Sequence, residues 1–531
     1  MFVPALEMRN RLLLILLPGV LLFLILTLKS HIGAYYLGSN QDPGYMYLLN
    51  GLNLVKGKPP GHVDNPGTTL QEVAALSIGG TYLLAGQSEN VQKDVLSHPE
   101  KYLQVINYVL IGLVLLTLFV LSYRIAKNHG WQYGVFFQFS LFTHPKVVYE
   151  LAYVKPESFV LVASMCFMYV IFNMLLNNDF EQRYMVYSRS LGIICGIGLI
   201  SKLTFLPLFV ATLFLLSKAS YKQGFLNIYI KGLGRFLAFF LITCLVLGFP
   251  VLFSVQYLAH WVIGLVVGSG KYGSGELIIV APSLFTVGLK AIFSKNIFFA
   301  FSYLALLGAW VYGRVKPQKV VTIGFRVLSF LLIAFTLQIF IVAKHYAHHY
   351  LIPVLPWSLM SWFVLYKSFK FQFKINQMAL YGGAVLGIVL YTFNFRPLLP
   401  RLEEFKQTQT QLVNELKLEK YKDKKILGYH TSSGVEHALI FGIFWAGKTR
   451  NENTRYYQGI YQKLYADRVG EFAKVSIQEL TKDKERFIIQ TQTTVANNIL
   501  EKQAKGKTYR LRLKKIYSTG VEHLYKIVAI E

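Results

Sequence analysis

A run of apolar residues long enough to cross a hydrocarbon core about 30 Å thick must form a helix there, because lipid offers no partner for an unpaired peptide group. This sequence has such runs in series. The first is Arg11–Lys29, preceded by Arg9, and others follow near 104–123, 133–149, 158–176, 190–217, 236–256, 297–313, 320–343, 350–366 and 378–395. Ser201-Lys202 interrupts the 190–217 stretch, with Pro207 shortly after, so it is read as two short spans and the expected total is about eleven crossings. The first run has a longer apolar core than a secretory signal and no small-x-small cleavage site after it, so it is read as a retained span.

Loop charge orients the chain, since Lys and Arg gather at cytoplasmic span ends. Arg9 and Arg11, Arg124 and Lys127, Arg183 and Arg189, the basic residues from Lys218 to Arg235, Arg314 to Lys319, and Lys367 to Lys374 all fall on one face once the chain is split at Lys202. The amino terminus is therefore expected inside and the carboxyl terminus outside, with a long outer loop at about 30–103. The net charge of +27 raises the question of nucleic acid, but much of the excess sits in these short loops, where it sets topology and meets anionic lipid. No nucleic-acid partner is expected. Cys166, Cys195 and Cys244 all lie in apolar runs, give neither a disulfide framework nor a metal spacing, and are read as packing residues.

After Pro397 and Pro400 the chain becomes charged. A helix is expected at about 402–424, followed by short β-rich runs in KKILGYH, RFIIQTQ, YRLRLKKIY and HLYKIVAIE. The predicted organisation is a membrane domain over 1–397 and a small α/β domain outside the membrane over 398–531. No internal repeat stands out.

The outer loops carry the chemistry-bearing residues, and each has a bland reading beside the functional one. Asp42, about a dozen residues past the first span, suits a general base or a metal ligand, and equally suits a helix cap before Pro43. In His62-Val63-Asp64-Asn65-Pro66-Gly67 an imidazole and a carboxylate two apart can hold a phosphate or a divalent ion, or the segment is only a turn with Thr68 or Thr69 capping the next helix. Lys155-Pro156-Glu157 opens a span; the helix dipole accounts for Glu157 but not for Lys155. Lys202, between two short apolar spans, either snorkels to the interface or binds an anion. In Lys344-His345-Tyr346-Ala347-His348-His349-Tyr350, His345 and His349 are spaced to share a helix face, and phosphate contact is favoured over a metal that would lack a third ligand. All these outer loops bring acids or bases to one membrane face, which implies a site for an anionic headgroup with a carboxylate base.

These features resemble the GT-C superfamily of membrane glycosyltransferases, in particular the branch with protein O-mannosyltransferases and lipid A aminoarabinose transferases. The likeness rests on Asp42 in a long first outer loop, the helix after it with Tyr45 and Gly57, Asp64-Asn65-Pro66, Lys155-Pro156-Glu157, the Gly198-x-x-x-Lys202-x-Thr204 hairpin, and His349-Tyr350-Leu351-Ile352-Pro353, and covers about the first 395 residues. The resemblance implies that Asp42 is the catalytic base and that Glu157 shapes the active site; the residues expected to bind substrate, from their place in the outer loops, are His62, Asp64, Lys155, Lys202, Lys344, His345, His349 and Tyr350. It further implies a sugar donor on a polyprenyl phosphate or related lipid carrier and an acceptor outside the cytoplasm; the expected reaction is a hexosyl or pentosyl transfer by direct displacement with inversion to a lipid, glycan or protein hydroxyl, and short loops around a lone membrane domain make the bacterial inner membrane the expected location. No cofactor is assigned, and a divalent metal is left open. Two rivals remain at this stage: a glycan ligase or polymerase using a diphosphate-linked donor, and a lipid or glycan transporter, a class that commonly shows internal repeats.

Overall fold

The computed structural model describes residues 3–217, 226–269, 273, 275–369, 389, 392, 395–429, 432–449, 451–465, 468–504 and 506–531. The protein is mostly helical. Among the described residues seven helices are long and apolar enough to cross a membrane: Leu14–Ile32, Pro99–His129, Glu157–Asn177, Tyr184–Ser201, Ile228–Leu247, Ile297–Val315 and Thr322–Lys344. It is an integral membrane protein by that measure.

The other expected crossings are broken where the sequence carries helix stops. The 133–149 run becomes Trp131–Phe139, a turn at Ser140–Phe142, and a new helix Pro145–Leu151, because His144 caps the backbone of Lys146 and Pro145 can only begin a helix. The chain leaves Tyr184–Ser201 at Lys202, which is extended (φ −164°, ψ 133°), and resumes as Leu206–Ser217, so the split expected at Ser201-Lys202 is present. Two prolines, Pro353 and Pro356, reduce the 350–366 run to the twelve-residue helix Trp357–Ser368. The expected span at 378–395 lies outside the described residues except for 389, 392 and 395.

The chain forms two compact units. The first comprises Met1–Leu26, Val63–Leu70 and Val109–Arg396. Its helices approach closely through small and polar residues, as membrane helices do. A Cβ on Gly192 would stand 2.4 Å from the Phe236 carbonyl oxygen, so only glycine permits that contact. Trp357 Nε1 donates to Ser164 Oγ at 3.0 Å, and Ser164 Oγ donates to the Pro353 carbonyl at 2.9 Å. Phe167 stacks on Phe330, with Trp357 edge-on to both. These contacts clamp the Glu157–Asn177 helix to the segment that follows His349.

The second unit comprises Thr27–His62, Gln71–Tyr108 and Pro397–Glu531. Its sheet has strands β1 (Lys425–Gly428), β2 (Val469–Glu471), β3 (Phe487–Thr491), β4 (Ile499–Ala504), β5 (Lys507–Ser518) and β6 (His523–Ile530), in the order β2-β1-β3-β6-β5-β4. β1 is parallel to β2 and β3, and the β3-β6-β5-β4 half is antiparallel. The four β-rich runs of the sequence are β1, β3, β5 and β6; β2 is only three residues long and β4 has a polar exposed face, so neither reads as a strand from pattern. The expected helix at 402–424 is Leu398–Glu415, ended by a 3-10 turn at Glu419–Tyr421.

Much of the loop after the first span folds with this sheet domain. Helix Gln41–Val55 runs against helix Val435–Gly447, where a Cβ on Gly442 would come within 2.8 Å of the Tyr45 carbonyl oxygen. Buried Asn53 ties the two segments: its Nδ2 donates to the Ala446 carbonyl at 2.9 Å, and Tyr457 Oη donates to its Oδ1 at 2.8 Å. Replacing Asn53 by Ala strands a buried hydroxyl and a buried carbonyl, at about 1–3 kcal/mol each. Asn53→Ala is expected to lower the thermal midpoint of the protein and to speed proteolysis of the first loop, whereas Lys56→Ala, which removes an exposed side chain at the end of the same helix, leaves both unchanged.

Candidate active site

The expected site residues divide between the units. Asp42 and His62 belong to the second, and Asp64, Lys155, Glu157, Lys202, Lys344, His345, His349 and Tyr350 to the first.

In the second unit, Asp42 stands at the entry of a helix whose next residues are nearly all buried. Its backbone is extended (φ −95°, ψ 123°) and its side chain is exposed, so the helical path begins at Pro43 and the carboxylate is left at the surface. His62 is buried, its ring edge-on to Tyr47 and Trp445. Asn50 Oδ1 accepts the backbone N–H groups of Gly61 and His62, at 2.7 and 3.0 Å, and Gln71 Nε2 donates to the His62 carbonyl at 2.7 Å. The segment is therefore held from inside the loop's own helix.

In the first unit, Asn65 (φ 60°) and Gly67 (φ 68°) make the turn expected of Asn-Pro-Gly. The threonines after it do more than start a helix. Thr68 Oγ1 donates to the Ile200 carbonyl, and Thr69 Oγ1 lies 2.9 Å from Ser201 Oγ, so the Asp64 segment is fastened beside the residue that precedes Lys202.

Around Lys202 the same unit buries a network of charge. Lys202 Nζ is 2.5 Å from Glu157 Oε1 and 5.0 Å from the centre of the Tyr350 ring. His349 Nε2 approaches the same Glu157 oxygen at 3.8 Å. Glu150, only 1% exposed, takes Lys146 on one oxygen at 2.5 Å and Lys155 on the other at 2.9 Å. The Tyr149 and Tyr153 hydroxyls, 2.6 Å apart, flank that pair, with Lys146 over one ring and Lys155 over the other. Lys146 and Glu150 were absent from the expectations. Their spacing of four on the helix Pro145–Leu151 is the signal that was available.

Burial alone would keep Glu150 neutral, but Lys155 and then Lys146 outweigh it and hold its carboxyl below the usual range. Lys155 loses by burial and gains more from Glu150 and Glu157, so its ammonium is held above the usual range. His349 has the opposite balance: burial and the Lys202 charge push it down to about 3, and it is a neutral imidazole. The two shifts have the same consequence for stability. An unfolded imidazole takes a proton as pH falls through 6.5 while folded His349 does not until about 3, so stability falls across that window. Glu150 adds a loss that begins lower, as pH drops below the ordinary carboxylate range. His349→Gln is expected to flatten the loss between pH 6.5 and 4 in a thermal-unfolding series, while Glu150-dependent loss below pH 4 persists.

Lys344 and His345 are placed elsewhere. Lys344 Nζ donates to the carbonyls of Leu265 and Val266, at 2.8 and 2.6 Å, and His345 Nε2 lies 2.9 Å from the Leu265 carbonyl. Both tie down the last turn of helix Val255–Val267, where side-chain N–H donors satisfy orphan carbonyls. The helix Thr322–Lys344 also ends before His345, whose backbone is no longer helical, so His345 and His349 do not share a helix face. Among the described residues no three His, Cys, Asp or Glu side chains come together to hold a metal ion.

No family model and no curated protein matches the chain. Among solved structures it is similar to ArnT from Cupriavidus metallidurans, crystallised with undecaprenyl phosphate, with a TM-score of 0.47 and 12% identity over 96% of this chain and 97% of that one. A likeness at that level assigns neither family nor chemistry.

Proposed function

We propose that the protein is an inverting membrane glycosyltransferase that moves a sugar from a polyprenyl-phosphate donor to an acceptor hydroxyl on the outer face of a bacterial inner membrane. The supporting observation is the buried charge network of the first unit. Three lysines, two carboxylates and a neutral imidazole lie among apolar helices, where each charge is costly unless it is paired and used. A lipid-linked phosphate is a ligand whose tail suits bilayer and whose head suits these ammonium groups.

The residues divide the work accordingly. Asp42 accepts the proton of the acceptor hydroxyl as its oxygen attacks the anomeric carbon from the face opposite the phosphate. The bond from that carbon to the phosphate oxygen breaks, and the polyprenyl phosphate leaves as an anion. Lys202 and Lys155 meet that developing charge, already held in place by Glu157 and Glu150, so little reorganisation is needed during the reaction. His349, being neutral, adds a hydrogen-bonding group without a competing charge, and Tyr350 and Lys146 complete the wall. His62 and Asp64 are assigned to substrate binding. Lys344 and His345, engaged with backbone carbonyls, take no part.

The test is sugar transfer by the purified chain in lipid, with labelled polyprenyl-phosphate sugars, their diphosphate counterparts and a membrane extract as acceptor. Transfer from one monophosphate donor, with inverted anomeric configuration in the product, is expected. Transfer from diphosphate donors alone would instead identify a ligase, and transport without transfer would refute the enzyme reading.

A further inference from the structure

The second unit has a cavity of about 510 Å³ lined by residues of strands β3, β5 and β6 and of the turns beside them, within the size range of small-molecule sites. Four lysines surround it, Lys420, Lys424, Lys484 and Lys526, against one acid in its lining, Glu485; Lys420 is ion-paired with Glu415 outside the cavity, which leaves the other three in excess. Tyr421, Ile516 and Val528 supply an aromatic and apolar wall, and the last two side chains are 36% and 46% exposed. None of these residues belongs to the proposed catalytic apparatus.

Two features separate this cluster from an ordinary solvated surface. Lys424 Nζ donates to the Glu485 carbonyl at 3.0 Å and Lys484 Nζ to the Val528 carbonyl at 2.8 Å. Each ammonium is thereby fixed at the rim while two of its three N–H donors remain for a ligand. The second feature is an unfavourable pairing: in the β5-β6 ladder Lys526 stands directly opposite Lys514, and like charges so placed destabilise a sheet. An anion in the cavity relieves that repulsion.

We infer that this cavity binds an anionic saccharide, one bearing a phosphate or a carboxylate, with the lysines taking the charge and Tyr421, Ile516 and Val528 taking the apolar face of the sugar. As the acceptor's binding site it rests on the transferase reading; as a binding site it stands without it. Concavity favours a saccharide over a membrane surface, which is flat and would meet the protruding residues rather than a hollow.

The test is calorimetric titration of the full-length protein in zwitterionic nanodiscs. The probes are hexose and hexosamine oligosaccharides carrying one phosphate or one uronate, each paired with its neutral counterpart, together with inorganic phosphate and anionic vesicles. A charged saccharide is expected to bind about tenfold or more tightly than its neutral counterpart, and Lys424→Glu or Lys526→Glu to weaken it by about tenfold each. Lys526→Glu is also expected to keep or raise the thermal midpoint, because it removes the like-charge pair; should it fail to fold, Lys424→Glu carries the test. Equal affinity for charged and neutral sugars, binding of inorganic phosphate as tight as that of any sugar, or capture by anionic vesicles in place of saccharide would each overturn the inference. A protein that transfers no sugar from any donor leaves this titration unaffected, so the two readings fail separately.

Discussion

Asp42→Asn is expected to abolish sugar transfer, by about 10²–10⁴-fold, in a protein that folds and binds lipid as before. The geometry makes this substitution unusually clean. Asp42 is exposed and extended, while Tyr45, Leu48, Leu49 and Leu52 behind it are fully buried and carry the packing of the helix. An amide of the same shape keeps that packing and removes the ability to take a proton. The loss should fall on kcat more than on KM, because the proton moves only as the bond to the anomeric carbon forms. Asp42→Glu keeps the base but displaces it by about one methylene, and should retain a measurable part of the activity. If Asp42→Asn transfers sugar at the wild-type rate, Asp42 is not the base, and Asp64 and Glu157 become the carboxylates to replace next.

How far the sequence anticipates this arrangement depends on what kind of interaction each residue makes. The spans and the break at Ser201-Lys202 are legible because lipid penalises a charge in an apolar run so heavily that local composition decides the outcome. Glu150 and Lys146 are missed for the same reason turned round: they end an apolar run, 133–149, that hydropathy alone reads as one span, and only the His144 cap with Pro145 shows that a separate short helix carries them. Lys344 and His345 show the reverse case. A cluster of basic residues at a span end is visible in one dimension, but whether its side chains face a ligand or the carbonyls of Leu265 and Val266 depends on a helix some eighty residues away. The union of the first loop with the terminal sheet domain is likewise set by contacts such as Asn53 with Ala446 and Tyr457, nearly four hundred residues apart, which no local pattern encodes.

The other large effect concerns Lys202 and Glu157, and it separates a structural charge pair from one retained for chemistry. Lys202→Met takes away the ammonium that touches the buried Glu157 carboxylate and leaves it His349, at 3.8 Å, and the more distant charges of Lys155 and Glu150; removal of one member of a buried pair typically costs about 3–5 kcal/mol. The thermal midpoint should fall accordingly. The double variant Glu157→Gln with Lys202→Met has no charge left to strand, and replacing both members of such a pair is often neutral or stabilising, so most of the lost stability should return. Transfer should not return with it. If the pair existed to hold the fold, stability and activity would recover together in the double variant; if Lys202 is there to meet the departing phosphate, a well-folded double variant remains inactive. A Lys202→Arg variant sharpens the distinction, since it keeps the charge beside Glu157 yet presents a planar, bulkier group where a compact ammonium now sits against Tyr350. Wild-type stability with depressed kcat in that variant is the expected result, and a wild-type rate in either Lys202→Met or the double variant would remove Lys202 from the site.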